Sequence, residues 1–231
     1  HAAPGAEPGV VDAIKAGGAY ADVAEALSGG VVLVGERAAQ TPGLLSSVVA
    51  LAERTGARLA WVPRRSGDRA AIEAGLLPGL LPFGRGIDEA GAQSLGWGEL
   101  PERGLDAKQM IEAAASGKLK ALVVGGVDVR DFDASAAVRD ALDEVPFLVS
   151  LEVRASEITD RADVVLPVAP AVEKNGTYIN WEGRLRPFGQ ARSATSLTDR
   201  DVLVRLAEEF DADLGITTLS DLYAEVNPLM E

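Results

Sequence analysis

Along most of this chain, short apolar runs alternate with stretches whose apolar residues recur every three or four positions, the periods of buried strands and amphipathic helices. "GGVVLVG", residues 29–35, is a β-branched run bounded by glycine and reads as a buried parallel strand. "LLSSVVALAER" is helix-spaced. Thr41 is placed to cap it with Pro42 at the first helical position, and Gly56 stands where a left-handed C-terminal residue belongs. "ARLAWVP", residues 57–63, then completes a strand–helix–strand unit with a right-handed crossover.

Residues 64–104 are rich in Gly and Pro and lack a sustained period, so they read as a short helix over 68–76 followed by long loops. Order returns with a helix that Asp106 caps and Gly117 ends, the strand "KALVVGG" at 120–126, and a helix over "ASAAVRDALDEV" with Asp133 as its cap. Strands follow at 146–153 ("PFLVSLEV") and 162–168 ("ADVVLPV"). This alternation predicts an α/β fold with a doubly wound, mainly parallel sheet and helices on both faces.

Farther on, "TYIN-WEGR-LRPF" predicts a β-hairpin whose four-residue connection contains Gly183. Thr198 and Asp201 form a capping box for a helix with Val202, Leu203, Leu206 and Phe210 on one face, and Ser220 starts a last helix that Asn227-Pro228 stops. The expected organisation is a linker and leading helix over 1–28, an α/β domain over 29–170, and a hairpin loop with a helical C-terminal extension over 171–231. "HAAPGAEPG" at the start reads as linker within a longer polypeptide.

Composition narrows the chemistry more than the fold. A net charge of −13 and no basic stripe argue against a nucleic-acid protein. With Cys 0 and His1 as the single histidine, thiolate zinc, iron–sulfur ligation, a His-based triad and haem are all disfavoured within these residues. No apolar run reaches the roughly 18 residues that span a bilayer, so membrane association is expected only through partners.

The candidate motifs are modest. Gly35 and Gly125-Gly126 lie at carboxyl ends of predicted strands, where open α/β sheets bind ligands, yet neither forms a dinucleotide fingerprint or a P-loop. "GRGIDEAG" has two of the required glycines and the wrong third spacing. "VDVRDFD", residues 127–133, offers three aspartates either to a hard cation or, as Asp at such places usually does, to helix capping. Glu173 and Glu182 are carboxylates whose separation the sequence leaves open.

Read as a unit, "ITDRADVVLPVAPAVEKNGTYINWEGRLRPF" resembles the block of molybdopterin-oxidoreductase-like proteins in which an "ADVVLP" strand precedes Glu-x-x-Gly-Thr and Asn-x-Glu-Gly-Arg. The resemblance spans roughly residues 29–190. "NWEGRLRPF" is most similar to the family of large iron–sulfur subunits, the G subunits, of bacterial NADH-quinone oxidoreductases. That resemblance implies a non-catalytic scaffold segment, with the iron–sulfur clusters carried by the upstream part of the full subunit and no cofactor of its own. It also implies partners among the other subunits of the peripheral arm, at the cytoplasmic face of the bacterial plasma membrane. It marks Glu173, Gly176, Thr177, Asn180 and Glu182 as vestigial pterin-cleft positions, with Gly183 and Arg184 matching beside them. Trp181 stands where the family commonly has Thr. No catalytic residue or metal ligand is assigned. The competing readings are a fragment of a molybdopterin-dependent oxidoreductase such as formate dehydrogenase, and a free-standing nucleotide-binding α/β module. The scaffold reading further expects exposed apolar surface around "LLPGLLPF" and the Ala-rich helices, to be buried by partners.

Overall fold

Helix begins earlier than the linker-like composition suggests. In the computed structural model, which describes residues 2–65, 67–97, 103–132 and 134–229, Glu7–Ala13 is already helical (α1), with Pro in its opening turn. Proline is tolerated there because the first N–H groups of a helix have no intrahelical partner. The chain divides into two compact units: His1–Ala70 with Ile179–Leu185, and Ala71–Tyr178 with Arg186–Glu231.

The first unit continues through Ala21–Ala26 (α2), Val31–Gly35 (β1), Leu44–Thr55 (α3) and Arg58–Val62 (β2). β1 and β2 pair in parallel, Val34 opposite Trp61, as a right-handed crossover requires. Val34, Val48, Leu51 and Ala52 are buried, and α1 packs on α3, where the Arg54 guanidinium donates to the carbonyls of Val11 and Ile14. Two expectations need correction. Thr41 does not cap α3; a 3₁₀ turn over Glu36–Gln40 ends at Thr41, and Gly43, left-handed at φ 83°, is the N-cap without a side-chain bond. The run read as a fully buried strand buries only Val34, while Leu33 is 70% exposed. Gly56 does adopt the left-handed C-terminal conformation.

The second unit is larger. The tract expected as long loops holds Asp68–Glu73 (α4, which begins in the first unit), the short strands Leu80–Leu81 (β3) and Arg85–Gly86 (β4), and Glu89–Ser94 (α5). "GRGIDEAG" is a strand leading to a cap: Asp88 accepts from the Gly91 N–H at 2.8 Å. Ala107–Ala115 (α6) starts in a capping box between Asp106 and Gln109 and gives way to left-handed Gly117. Leu122–Gly125 (β5), Ser135–Asp143 (α7), Leu148–Glu152 (β6) and Val164–Pro167 (β7) follow. Asp133, the expected cap of α7, lies outside the described residues; Ala134 is the N-cap position and makes no side-chain cap.

β5, β6 and β7 form a parallel sheet in that order. The register puts Leu122, Val124, Leu148 and Ser150 on one face, where Val138 and Leu142 of α7 and Ile111 of α6 pack. Val149, Leu151 and Leu166 lie on the other face, under Val202. Helices therefore cover both faces, as the alternation predicted. The parallel strands form the pair β1–β2 in the first unit and the sheet β5–β6–β7 in the second. Apolar patterning encodes burial and direction of a strand but not its lateral neighbour. From β6 to β7 the chain crosses in turns without a helix; Arg139 and Arg161 clamp this stretch to α7 through Glu157 and Asp143.

Gly176–Ile179 (β8) and Leu185–Phe188 (β9) make the predicted hairpin. Asp199–Glu209 (α8) and Leu219–Val226 (α9) close the chain. Thr198 caps α8 by accepting from the Asp201 N–H, but the reciprocal half of the box is not made: Asp201 holds Arg200 instead. Val202 is buried on α8, whereas Leu203 is exposed and Phe210 is 77% exposed, so the four-residue apolar face is only partly used. α9 starts one cap earlier than Ser220, at Thr218, which forms a full box with Asp221. In "LLPGLLPF", Leu76 is 74% exposed and Leu77 exposed, while Leu81 is buried.

Candidate functional site

The block 173–188 is built from hydrogen bonds the chain makes to itself. Glu173 ends a 3₁₀ turn after β7, and its carboxylate accepts from the backbone N–H and the hydroxyl of Thr195, both at 3.2 Å. Lys174 pairs with Asp199 at the start of α8. Asn175 accepts from the Gln190 N–H at 2.8 Å. Gly176 faces the ring of Phe188, and the Thr177 hydroxyl lies 2.5 Å from that of Tyr223 on α9.

At the turn, the Asn180 N–H donates to the Arg184 carbonyl at 3.0 Å and the Gly183 N–H to the Asn180 carbonyl at 2.8 Å. Gly183 is left-handed at φ 81°. A four-residue turn closed by an i→i+3 bond and followed by a left-handed glycine is the arrangement of a three-residue hairpin loop with a bulge. The connecting loop is accordingly Trp181–Glu182–Gly183, one residue shorter than predicted. Asn180 stabilises it from its side chain, accepting from the N–H groups of Glu182 and Arg184, the local bonding that suits Asn to turns. Its amide donates to Glu182, which also lies 3.5 Å from Arg184. Trp181 is 57% exposed.

Of the five residues singled out from sequence, Asn180 and Glu182 meet in the turn, Gly176 and Thr177 sit side by side on β8, and Glu173 lies beyond the strand against Thr195. The partners Thr195, Gln190 and Tyr223 were not legible in the motif, since they arrive through tertiary packing from later in the chain.

A second feature lies at the carboxyl ends of β5 and β6. A cleft of about 300 Å³ is lined by Gly126, Asp128, Arg130, Glu152, Arg154 and Glu157, with neighbouring backbone. This is the place the glycine pair marked. Its charges are largely paired: Asp128 receives the Arg130 backbone N–H at 2.9 Å and its guanidinium at 3.0 and 2.6 Å. These bonds hold the Asp128 carboxyl far below the usual range, the guanidinium hydrogen bond contributing most, and raise Arg130 in turn. Asp128 is thus a standing carboxylate, not a proton donor. Arg139 likewise lowers Glu157 through hydrogen bonds at 2.5 and 3.1 Å. The capping alternative for "VDVRDFD" holds at Asp128, which caps the 3₁₀ turn Val129–Asp131. Asp133 lies outside the described residues, and among the described residues no group of three or more His, Cys, Asp or Glu side chains could hold a metal ion.

A profile of the family described as molybdopterin oxidoreductase matches residues 28–208, covering β1 through most of α8. The chain belongs to the molybdopterin oxidoreductase family. Within it, the chain is 46% identical over 246 aligned residues to the G subunit of the NADH-quinone oxidoreductase of Streptomyces coelicolor, covering 99% of this chain and 29% of that protein. The corresponding G subunit of Mycobacterium bovis is also 46% identical, over 98% of this chain and 29% of its own length. YrhE of Bacillus subtilis, whose name provisionally assigns it as a formate dehydrogenase, is 33% identical over 69% of the chain and 17% of its own length. The chain therefore spans less than a third of the length of these curated relatives. Among the described residues of this molybdopterin oxidoreductase family member, no helix is long and apolar enough to cross a membrane.

Proposed function

We propose that this chain is a non-catalytic scaffold segment of an electron-transfer subunit, of the G-subunit kind, in a proton-translocating NADH-quinone oxidoreductase. Iron–sulfur clusters elsewhere in the full subunit carry electrons from NADH towards quinone. The segment packs against neighbouring subunits of the peripheral arm, at the cytoplasmic face of the bacterial plasma membrane. The observation that carries this reading is the 46% identity to the Streptomyces G subunit along 99% of the chain, against 33% along 69% for the formate dehydrogenase relative.

The hairpin block supports the same reading. Family resemblance points a pterin dinucleotide at Glu173, Gly176, Thr177, Asn180 and Glu182, but these residues do not fit such a group. Glu173, Thr177, Asn180 and Glu182 are each taken by partners in the chain, and a ring of the protein's own stands over Gly176. A carboxylate or amide already holding backbone N–H groups must give up those bonds to grip a ligand, each contributing about 0.5–1.5 kcal/mol net. We read the five as an inherited motif retained for the hairpin itself.

Purification of the full-length protein containing this segment tests the proposal. Copurification with the other dehydrogenase subunits, NADH-dependent quinone reduction and absence of molybdenum and tungsten by elemental analysis are the expected results. Stoichiometric molybdenum or tungsten with pterin fluorescence would overturn it in favour of the formate dehydrogenase-like reading.

A further inference from the structure

The hairpin has two faces with different surroundings. Thr177 points to Tyr223 on α9, so alternation along β8 turns Tyr178 the opposite way. Antiparallel pairing outward from Asn180 and Arg184 sets Tyr178 opposite Arg186 and Gly176 opposite Phe188. The stacking of Tyr178 on Phe188, ring centroids 4.7 Å apart and 24° between planes, agrees with this register. The outward face is therefore a stacked aromatic pair beside a guanidinium. Tyr178 is 46% exposed and Arg186 is exposed.

The charge here runs against the rest of the molecule. Residues 172–192 contain four basic residues and two acidic ones on a chain of net charge −13. Lys174 is committed to Asp199 and Arg184 to Glu182. Arg186 and Arg192 have no carboxylate partner among the described residues. Arg192 lies at the foot of the hairpin, where its N–H donates to the carbonyl of exposed Val172. Tyr and Arg are over-represented among residues that dominate binding energy, and an aromatic ring bordered by an unpaired cation suits a partner that is acidic and carries an apolar or aromatic side chain. Opposite charge on the partner also steers encounter.

We propose that the outward face of the hairpin, centred on Tyr178 and Arg186, is a docking surface for an acidic, aromatic-bearing segment of a partner protein. The local excess of positive charge on an acidic chain argues for that occupant over a second copy of the chain, whose net charge of −13 opposes self-association. This inference does not depend on the proposed electron-transfer role.

Binding of a poly(Glu,Tyr) copolymer and of poly-glutamate to this chain, measured by fluorescence anisotropy at low and at physiological ionic strength, tests it. The chain binds the copolymer more tightly than poly-glutamate, and both weaken with salt. Arg186→Glu lowers copolymer affinity by roughly thirtyfold, the scale of a hot-spot loss. Arg186→Lys keeps most of the affinity, and Tyr178→Ala removes the preference for the tyrosine-containing polymer. Arg37→Glu, on an exposed arginine far along the sequence, serves as the control and leaves binding unchanged. Thermal melts of every variant separate loss of binding from loss of fold. Equal binding by Arg186→Glu, an equal loss in Arg37→Glu, or no copolymer binding at low salt overturns the proposal. Concentration-dependent self-association that Arg186→Glu abolishes also overturns it, by making a second copy the occupant.

Discussion

The ring of Phe188 stands so close over Gly176 that a Cβ on Gly176 would meet its Cζ at 2.6 Å. A side chain at position 176 must push the ring off its stack with Tyr178. Gly176→Ala is therefore expected to destabilise by about 1 kcal/mol, the low end of the overpacking range, because the obstacle is the tip of a half-buried side chain. Adding Phe188→Leu to that variant should return part of the loss. Urea denaturation of the single and double variants measures it; an additive double variant would show that the ring is not the obstacle.

Ser150 sits in the central strand at 1% exposure with no partner for its hydroxyl among the described residues. An unsatisfied buried hydroxyl weakens a core, so Ser150→Ala is expected to be neutral or to stabilise by up to about 1 kcal/mol. A clear drop in the denaturation midpoint would reveal a buried water bonded to that hydroxyl.

Asp211 follows α8 with φ 57°, and the Ala212 N–H donates to the Ala207 carbonyl, the closure of a left-handed helix end. Glycine reaches that conformation without the Cβ penalty. Asp211→Gly should raise stability by about 0.5–1 kcal/mol, read as an increase in melting temperature.

Acid will find the arginine-held carboxylates. Glu157 is held below its ordinary 4.5 chiefly by the Arg139 hydrogen bonds, and Asp128 below its ordinary 3.8 by those of Arg130. A carboxylate depressed in the folded state contributes stability that is fully present above its unfolded value and is lost as pH falls through the folded one. Glu157→Gln is thus expected to lower stability near neutrality and to flatten the decline below about pH 4.5, with little difference from the parent at the acid end. Denaturant midpoints across the pH range test this; parallel curves would exclude the pair as the source.

The sequence was most informative where the cause is local. Asp106 with Gln109, Gly56, Gly117 and the apolar runs of β5, β6 and β7 set caps and strands through neighbours a few residues away. It misled where two local solutions competed, as at Thr41, whose place a left-handed Gly43 takes, and at Ser220, one cap too late beside Thr218. It was silent on lateral strand pairing and on the partners of Glu173 and Thr177, because Thr195 and Tyr223 come from 22 and 46 residues away. The hairpin was legible as a hairpin; the ownership of its polar groups was not.

The helix-free crossover from β6 to β7 reaches beyond packing. In open α/β sheets the helix that follows a strand aims its N-terminal amides and positive dipole end at the strand-end crevice, which is how such folds hold phosphate. After β6 no such helix exists, and after β5 the 3₁₀ turn at Val129–Asp131 precedes α7. The cleft's field is set by side chains, Asp128, Glu152 and Glu157 against Arg130 and Arg154, so removing the Arg130 guanidinium alone leaves the strand-end crevice more strongly acidic.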